Sequence, residues 1–242
     1  MHVELQKRVC AAETAFDLYQ IYQLVHQILD HHNIPCFAIG GTALGQERHQ
    51  GNIPWDDDVD IGVYLDEKGC ESQMKMLLTP GSEVYKCFAL NGIRARKRSD
   101  EHIKLWFVQD PRTNEKKKSI RGGIEWTHPS LDIFMFRKIG KDGEKEEAKS
   151  YFDRMPLDYV LAENLHRDQP FGPIKVTTMD HVPTYLTKKY GKNWSSHARI
   201  HHWDHELESK IKEERPWVEL GEEERVPLAC PEPENLKMAI FS

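Results

Sequence analysis

One segment, residues 37 to 63, restricts the possible folds more than the rest of the chain together. It opens with an apolar run that ends in Gly40, Gly41 and Thr42. It closes with a second apolar run that carries Asp56, Asp58 and Asp60 at alternate positions. Side chains on a strand alternate between faces, so this spacing predicts the three carboxylates on one face and Asp57, Val59, Ile61 and Val63 on the other. Strand neighbours two apart sit roughly 6.5–7 Å from each other, close enough to share one or two divalent ions. Several uncompensated anions held together disfavour one another's ionisation, and a cation resolves that conflict. Oxygen-only ligands select a hard ion, Mg²⁺ or in its place Mn²⁺. The glycine turn adds the other half of a phosphate site. Glycines let backbone approach a phosphate, and Thr42 is expected to open a helix whose N–H groups attract anions.

A chain of 242 residues can bury a proper core, and one domain over 1–242 is expected, with its core over about 12–194 and a C-terminal helix and tail over 195–242. The net charge of −6 gives no global pull toward nucleic acid, and no nucleic-acid partner is expected. Five widely spaced cysteines form no C-x-x-C pair, so neither a disulfide framework nor a zinc knuckle is indicated. The N-terminus lacks the apolar core of a signal peptide, and no run reaches the length of a spanning helix. The expected compartment is the cytoplasm.

Apolar residues at helical spacing predict a helix over 12–32, ended by Asn33 and Pro35. A strand through Phe37, Ala38 and Ile39, a short helix over 43–48 and the acidic strand over 58–64 follow. A helix over 68–79 is stopped by Pro80 and Gly81. Strands are expected over 84–90, 102–108 and 130–136, with a charged loop over 110–119 and a solvated turn over 140–147. The remainder reads as loop-rich before helices over 183–190 and 196–214. The fold class is therefore α/β, a mixed sheet with flanking helices and a loop-rich C-terminal part.

Gly40-Gly41-Thr42, Leu44-Gly45, Arg48-His49, Gly51, Ile53-Pro54-Trp55 and Asp56-Asp57-Asp58-Val59-Asp60-Ile61 resemble the signature of the LicD/fukutin family of nucleotidyltransferase-fold phosphotransferases. Residues 42 to 57 separate the glycines from the last aspartates, a gap that suits this branch better than the general superfamily pattern. A block from Phe171 to Trp194, with Pro183, Tyr185-Leu186 and Tyr190-Gly191, is similar to the family's C-terminal part and is expected mainly to pack. The resemblance implies a nucleotidyltransferase-type fold. It also implies transfer of a phospho-alcohol, of phosphocholine or ribitol phosphate type, from a CDP-activated donor to a hydroxyl of a glycan, glycolipid or glycoprotein. Fukutin-type relatives work in the Golgi lumen behind a membrane anchor, which is the alternative location if this chain is a trimmed piece.

Asp132 interrupts an apolar strand, where an ionisable group must be paired or bind metal. The resemblance implies a further acid here, one that completes the metal site or accepts the acceptor's proton. The same resemblance favours Arg48 as a phosphate contact, whereas His49 stands equally for phosphate contact and for a solvated helix end. Lys104 alternates with Ile103 and Leu105. It is expected to face solvent, with neutralisation of the transferred phosphate as its second reading. Lys116, Lys117 and Lys118 read as a solvated loop. Arg121-Gly122-Gly123 lacks the strand-to-helix setting of a phosphate loop. His201-His202-Trp203-Asp204-His205 has no recognised zinc spacing and reads as a polar helix face.

In the expected mechanism Asp58, Asp60 and Asp56 hold the metal, and Gly40, Gly41, Thr42 and Arg48 hold the donor. Asp132 helps activate the acceptor, and no covalent nucleophile is needed. Two other functions use the same residues: an enzyme that adds NMP from an NTP to a protein or small molecule, and an inactive nucleotide-binding module. The complete acid set argues against the second.

Overall fold

The computed structural model describes residues 10–65, 70–110, 127, 129–140, 146–198, 203–204, 209–210 and 217–230. Helix α1 runs Ala12–His31 and buries Phe16, Tyr19, Tyr22, Val25, Ile28 and Leu29. It ends where Asn33 takes a left-handed backbone (φ 55°), a conformation asparagine tolerates better than most residues. Strand β1, Cys36–Ala38, leads straight into α2, Gly40–His49, and from there the chain reaches β2, Asp58–Leu65. Helices α3, Cys70–Leu78, and α4, Glu83–Leu90, precede the hairpin of β3, Ile93–Ser99, and β4, His102–Phe107. Strand β5, Ser130–Ile139, returns through the sheet, followed by the short β6, Glu147–Lys149, and β7, Arg154–Pro156. A second hairpin, β8, His166–Phe171, and β9, Ile174–Thr178, ends at α5, Val182–Tyr190.

These nine strands form one mixed sheet, ordered β3-β4-β5-β2-β1-β9-β8, with β6 appended to β5 and β7 to β6. Pairing β2–β5 and β1–β9 is parallel, and the other neighbours along that order are antiparallel. The protein is thus a mixed α/β fold.

Alternation along the central strands sorts two environments. Val59, Ile61 and Val63 of β2 pack with Leu131, Ile133 and Met135 of β5 and Ile103 and Leu105 of β4 beneath α1. The opposite face carries Phe134 and Phe136 with Phe37, Ile39 and Leu44. Gly62 belongs to this packing, since a Cβ there would stand 2.5 Å from the Phe37 ring. On that second face Asp60 pairs across with Asp132, Asp132 with Lys104, and Lys104 with Arg96, one row across four strands.

Several expectations are corrected. Residues 84–90 form a helix rather than a strand: the Ser82 hydroxyl caps it by accepting from Tyr85 N–H (3.3 Å), and Val84 and Phe88, four apart, bury one face. Strand β3 escaped notice because Arg94, Arg96, Lys97 and Arg98 leave little apolar alternation; as an edge strand it tolerates the charge. The stretch expected to be loop-rich contains β8 and β9.

The helix expected over 196–214 is absent at its described positions. His197–Ala198 pairs with Val218–Glu219, and Trp203–Asp204 with Ser209–Lys210. Charged helix-formers dominate that segment, but propensity is weak beside a pairing that buries Ala198 and Leu220 against Trp55. Residues 111–126, with the Lys116–118 run and Arg121-Gly122-Gly123, lie outside the described residues, as do His201, His202 and His205.

Candidate active site

The sheet row and the turn before α2 converge on a cleft of about 760 Å³, lined by Gly41, Asp56, Asp58, Asp60, Asp132, Lys104 and Lys189 among others. Carboxylate oxygens of Asp58, Asp60 and Asp132 lie within 4.8 Å of one another, and so do those of Asp56, Asp57 and Asp58. Asp58 and Asp60 share a face of β2 as alternation requires. Strand β2 begins only at Asp58, so Asp56 arrives from the preceding turn, where Asn52 Nδ2 donates to its carbonyl (2.9 Å). For the same reason Asp57 is not turned to the far face of a strand. Its carboxylate joins the cluster, a correction to the alternation argument.

Burial, then Asp58 and Asp57, raises the Asp56 carboxyl well above its ordinary range. Burial, then Asp58, Asp132 and Asp56, does the same to Asp60. A set of oxygen donors that frustrate one another's ionisation fits a hard divalent cation. Asp58, Asp60, Asp132 and Asp56 are the residues that could hold one.

Asp132 differs from its neighbours. Burial alone would raise it, but the Lys104 ammonium and the His102 hydrogen bond outweigh that and hold it down to about 2. Lys104 Nζ donates to Oδ2 at 2.8 Å, and His102 Nε2 lies 2.6 Å from Oδ1. Lys104 is 4% exposed, so it is no solvent-facing strand lysine. It sits directly opposite Asp132 on the cleft face and also lines the cleft.

The glycine turn stands against the acids. A Cβ on Gly40 would fall 2.7 Å from Asp60 Oδ2, and one on Gly41 2.5 Å from Asp56 Oδ2. Gly40 also has φ +55°, where a side chain is strained. Helix α2 starts at Gly40, two residues before the expected opening, so Thr42 lies within the first turn. Its hydroxyl accepts from Asp60 N–H (2.7 Å), tying turn to strand, while Gly40 N–H donates to the Tyr185 hydroxyl (3.0 Å).

Arg48 and His49 are not brought to the cleft. Eight residues of helix carry Arg48 roughly 12 Å along the axis from Gly40. There its Nη1 donates to the carbonyls of Trp194 and His197, both at 2.9 Å, and its Nε to His49 Nε2 at 2.9 Å. His49 Nδ1 lies 3.1 Å from the Val226 carbonyl, and its ring stands edge-on to Trp55. Burial, then the Arg48 charge, lowers the His49 imidazole to about 3, and burial lowers Arg48 to about 10. Both residues fasten the C-terminal segment to α2. Neither is solvated.

Several cleft residues were missed by sequence reasoning. His102, Phe134, Tyr151 and Phe152 form an aromatic wall, and Lys189 and Tyr190 reach the cleft from α5. The resemblance of residues 171–194 to the family's C-terminal part was the available signal, but it was assigned mainly to packing. Asp153 links this wall to the turn: the Tyr185 hydroxyl (2.8 Å) and Lys189 Nζ (2.6 Å) both donate to its Oδ2.

A glycine turn opening a helix, paired acids on the next strand and a further acid on the parallel neighbour define a nucleotidyltransferase-type site. More than half of the chain, residues 33–166, matches the family described as LicD/FKTN/FKRP, nucleotidyltransferase domain, and the protein belongs to that family. An uncharacterized protein of Rickettsia typhi is 27% identical over 190 residues, 77% of this chain and 49% of the relative. The lipopolysaccharide cholinephosphotransferase LicD of Haemophilus influenzae is 34% identical over 61 residues, 25% of this chain and 23% of that protein. The human ribitol 5-phosphate transferase FKRP is 44% identical over 45 residues, 18% of this chain and 9% of that protein. The chain spans about half the length of the Rickettsia relative and smaller fractions of the others. No helix among the described residues is long and apolar enough to cross a membrane.

Proposed function

We propose that this protein is a metal-dependent phosphotransferase that moves a phospho-alcohol from a CDP-activated donor to a hydroxyl of a glycan or glycoconjugate. The observation that carries the reading is the convergence of Asp56, Asp58, Asp60 and Asp132 beside a glycine turn, with Lys104 and Lys189 at the margins. The activities for which two relatives are named, cholinephosphotransferase and ribitol 5-phosphate transferase, support the reaction class.

A divalent cation held by Asp58, Asp60 and Asp132, with Asp56 adjoining, would neutralise the donor's diphosphate and the departing CMP. The remaining work falls to the chain itself. The bare backbone at Gly40 and Gly41 lets the Asp60 and Asp56 carboxylates stand against α2's first turn, so a metal held by them would sit beside that helix N-terminus. Thr42 fixes that turn against β2 and Tyr185 fixes it against α5, so the acids and the glycine-turn backbone keep one relative geometry. Lys104 and His102 keep Asp132 ionised and oriented. A carboxylate held that acidic is a weak general base near neutrality, which favours the metal-ligand role for Asp132 over direct proton abstraction.

The test is a panel of CDP-alcohols and NTPs with Mg²⁺ or Mn²⁺, reading CMP release against pyrophosphate release. Metal-dependent CMP release from a CDP-alcohol is expected. Consumption of ATP or UTP with pyrophosphate release would replace this reading with NMP transfer.

A further inference from the structure

Residues 48 to 55 connect the helix of the glycine turn to the acids, yet none of them lines the cleft. They meet the C-terminal end of the chain instead. His49 Nδ1 lies 3.1 Å from the Val226 carbonyl, and Trp55 packs on Ala198, Val218 and Leu220. Gly51 sits where three other segments crowd in. A Cβ there would stand 2.4 Å from Pro227 Cβ and 2.9 Å from both the Gly172 nitrogen and the Tyr19 hydroxyl oxygen. The Asn52 carbonyl accepts from Leu228 N–H at 2.7 Å. The stretch is a socket for residues 226–228.

Asn52, 1% exposed, links that socket to the acids. Its backbone closes a ring of three hydrogen bonds. Asn52 N–H donates to the Tyr19 hydroxyl (3.1 Å), the hydroxyl donates to the Leu228 carbonyl (2.9 Å), and Leu228 N–H returns to Asn52. Its side chain reaches Asp56: Nδ2 donates to the Asp56 carbonyl (2.9 Å), which also accepts from the Cys10 thiol (3.4 Å). Asp56 N–H donates to the Ile53 carbonyl (3.0 Å) and completes the turn. Strand β2 begins only at Asp58, so no sheet ladder fixes Asp56. Its carboxylate stands among like charges, Asp58 and Asp57, that push it away. The anchored turn resists that push.

We propose that residues 226–228 are a positioning strap for the metal site: pinned to Asn52 and Tyr19, they hold the turn that aims Asp56 at the cation. This rests on the metal-dependent reading above and gives the motif between the glycine turn and the acids its task, which is to seat the strap. Asn52 and Tyr19 are positioning residues. They act through Asp56 and touch neither donor nor metal.

The experiment uses the full chain without donor, titrated with Mn²⁺ by calorimetry well below its melting temperature. Tyr19→Phe deletes both hydroxyl bonds and keeps the ring against Phe171. Asn52→Ala deletes the bond to the Asp56 carbonyl. Asn52→Ala should weaken Mn²⁺ binding about tenfold, the lower end for an outer partner that orients a metal ligand, and Tyr19→Phe, one bond further out, about threefold. The Mn²⁺ concentration giving half-maximal CMP release should rise by the same factors. Phe88→Leu, a core substitution in α4, is the control. It should lower the melting temperature and leave Mn²⁺ affinity within about twofold of wild type. If Asn52→Ala does not fold, Tyr19→Phe alone decides. Unchanged Mn²⁺ affinity in the folded variants of Tyr19 and Asn52, or a loss in Phe88→Leu that matches theirs, would overturn the strap's role and leave the phosphotransferase reading standing. A wild-type protein that binds no Mn²⁺, with or without a CDP-alcohol, would remove the metal-dependent reading, and this inference with it.

Discussion

Gly41→Ala separates the catalytic geometry from the stability of the fold. Gly41 lies in the first turn of α2, where alanine is the better helix former by about 1 kcal/mol. Taken alone, that gain would raise the melting temperature by roughly 2–4 °C in a chain of this size. The new Cβ, however, would stand 2.5 Å from Asp56 Oδ2, against an ordinary contact of at least 3.4 Å, so the carboxylate must retreat by about 0.9 Å. Asp56 Oδ2 is the end of a rotatable side chain, and its movement disturbs no packed backbone. Stability should therefore stay within about 3 °C of wild type. Function should not. A displacement near 1 Å in a positioned group costs on the order of a hundredfold in rate. Here the displaced group belongs to the cluster that also contains Asp57 and Asp58. The assay is CMP release from the best CDP-alcohol, paired with Mn²⁺ titration of the donor-free protein and a thermal melt. Activity within about threefold of wild type, with unchanged Mn²⁺ affinity, would refute the claim that the glycine turn is bare in order to seat Asp56.

Asp58→Asn and Asp60→Asn should each abolish turnover while leaving far-UV circular dichroism unchanged; near wild-type turnover in either would displace the ligand assignment. Because Asp60 is raised in the folded protein, folding takes up protons there. The metal-free protein should lose stability as pH rises from the unfolded carboxylate range through the raised value, and added Mn²⁺ should flatten that slope; a melt series across pH with and without metal reads it. Asp132 has the opposite sign: its folded value of about 2 lies below the unfolded one, so its contribution is present above pH 4 or so and is lost as pH falls toward 2. Asp132→Asn should weaken donor and Mn²⁺ binding together, and a pure loss of rate with both affinities intact would restore Asp132 as the base. Arg48→Ala should lower stability by about 2–4 kcal/mol in denaturant titration, through loss of hydrogen bonds to the Trp194 and His197 carbonyls, with donor affinity inside twofold of wild type. A large donor-affinity loss there would return Arg48 to the phosphate.

The sequence by itself determined the local half of this site. Period-two alternation turns Asp58 and Asp60 one way and Val59 and Ile61 the other whatever the partner strands do, and the glycines mark a backbone that something must approach. Helix α1 was equally legible, since its apolar spacing, Asn33 and Pro35 are all local. Where a signal was local but two-sided, the reading failed. Residues 84–90 suit strand or helix, and the Ser82 cap decides; β3 hides under its arginines because an edge strand needs little apolar alternation.

Only the tertiary structure could decide which distant groups meet. The register β4–β5–β2 places Lys104 against Asp132 and Asp132 against Asp60, converting an apparent surface lysine into a buried partner of the site. Helix α5 brings Lys189 and Tyr190 to the cleft from more than a hundred residues away, and the axial rise of α2 takes Arg48 out of it. Alternation and helical rise are properties of one segment, whereas register and docking are set by which apolar faces bury each other across the sheet. The chemistry of the acids was therefore written in one stretch of chain, and the cations and aromatics around them were assigned by packing.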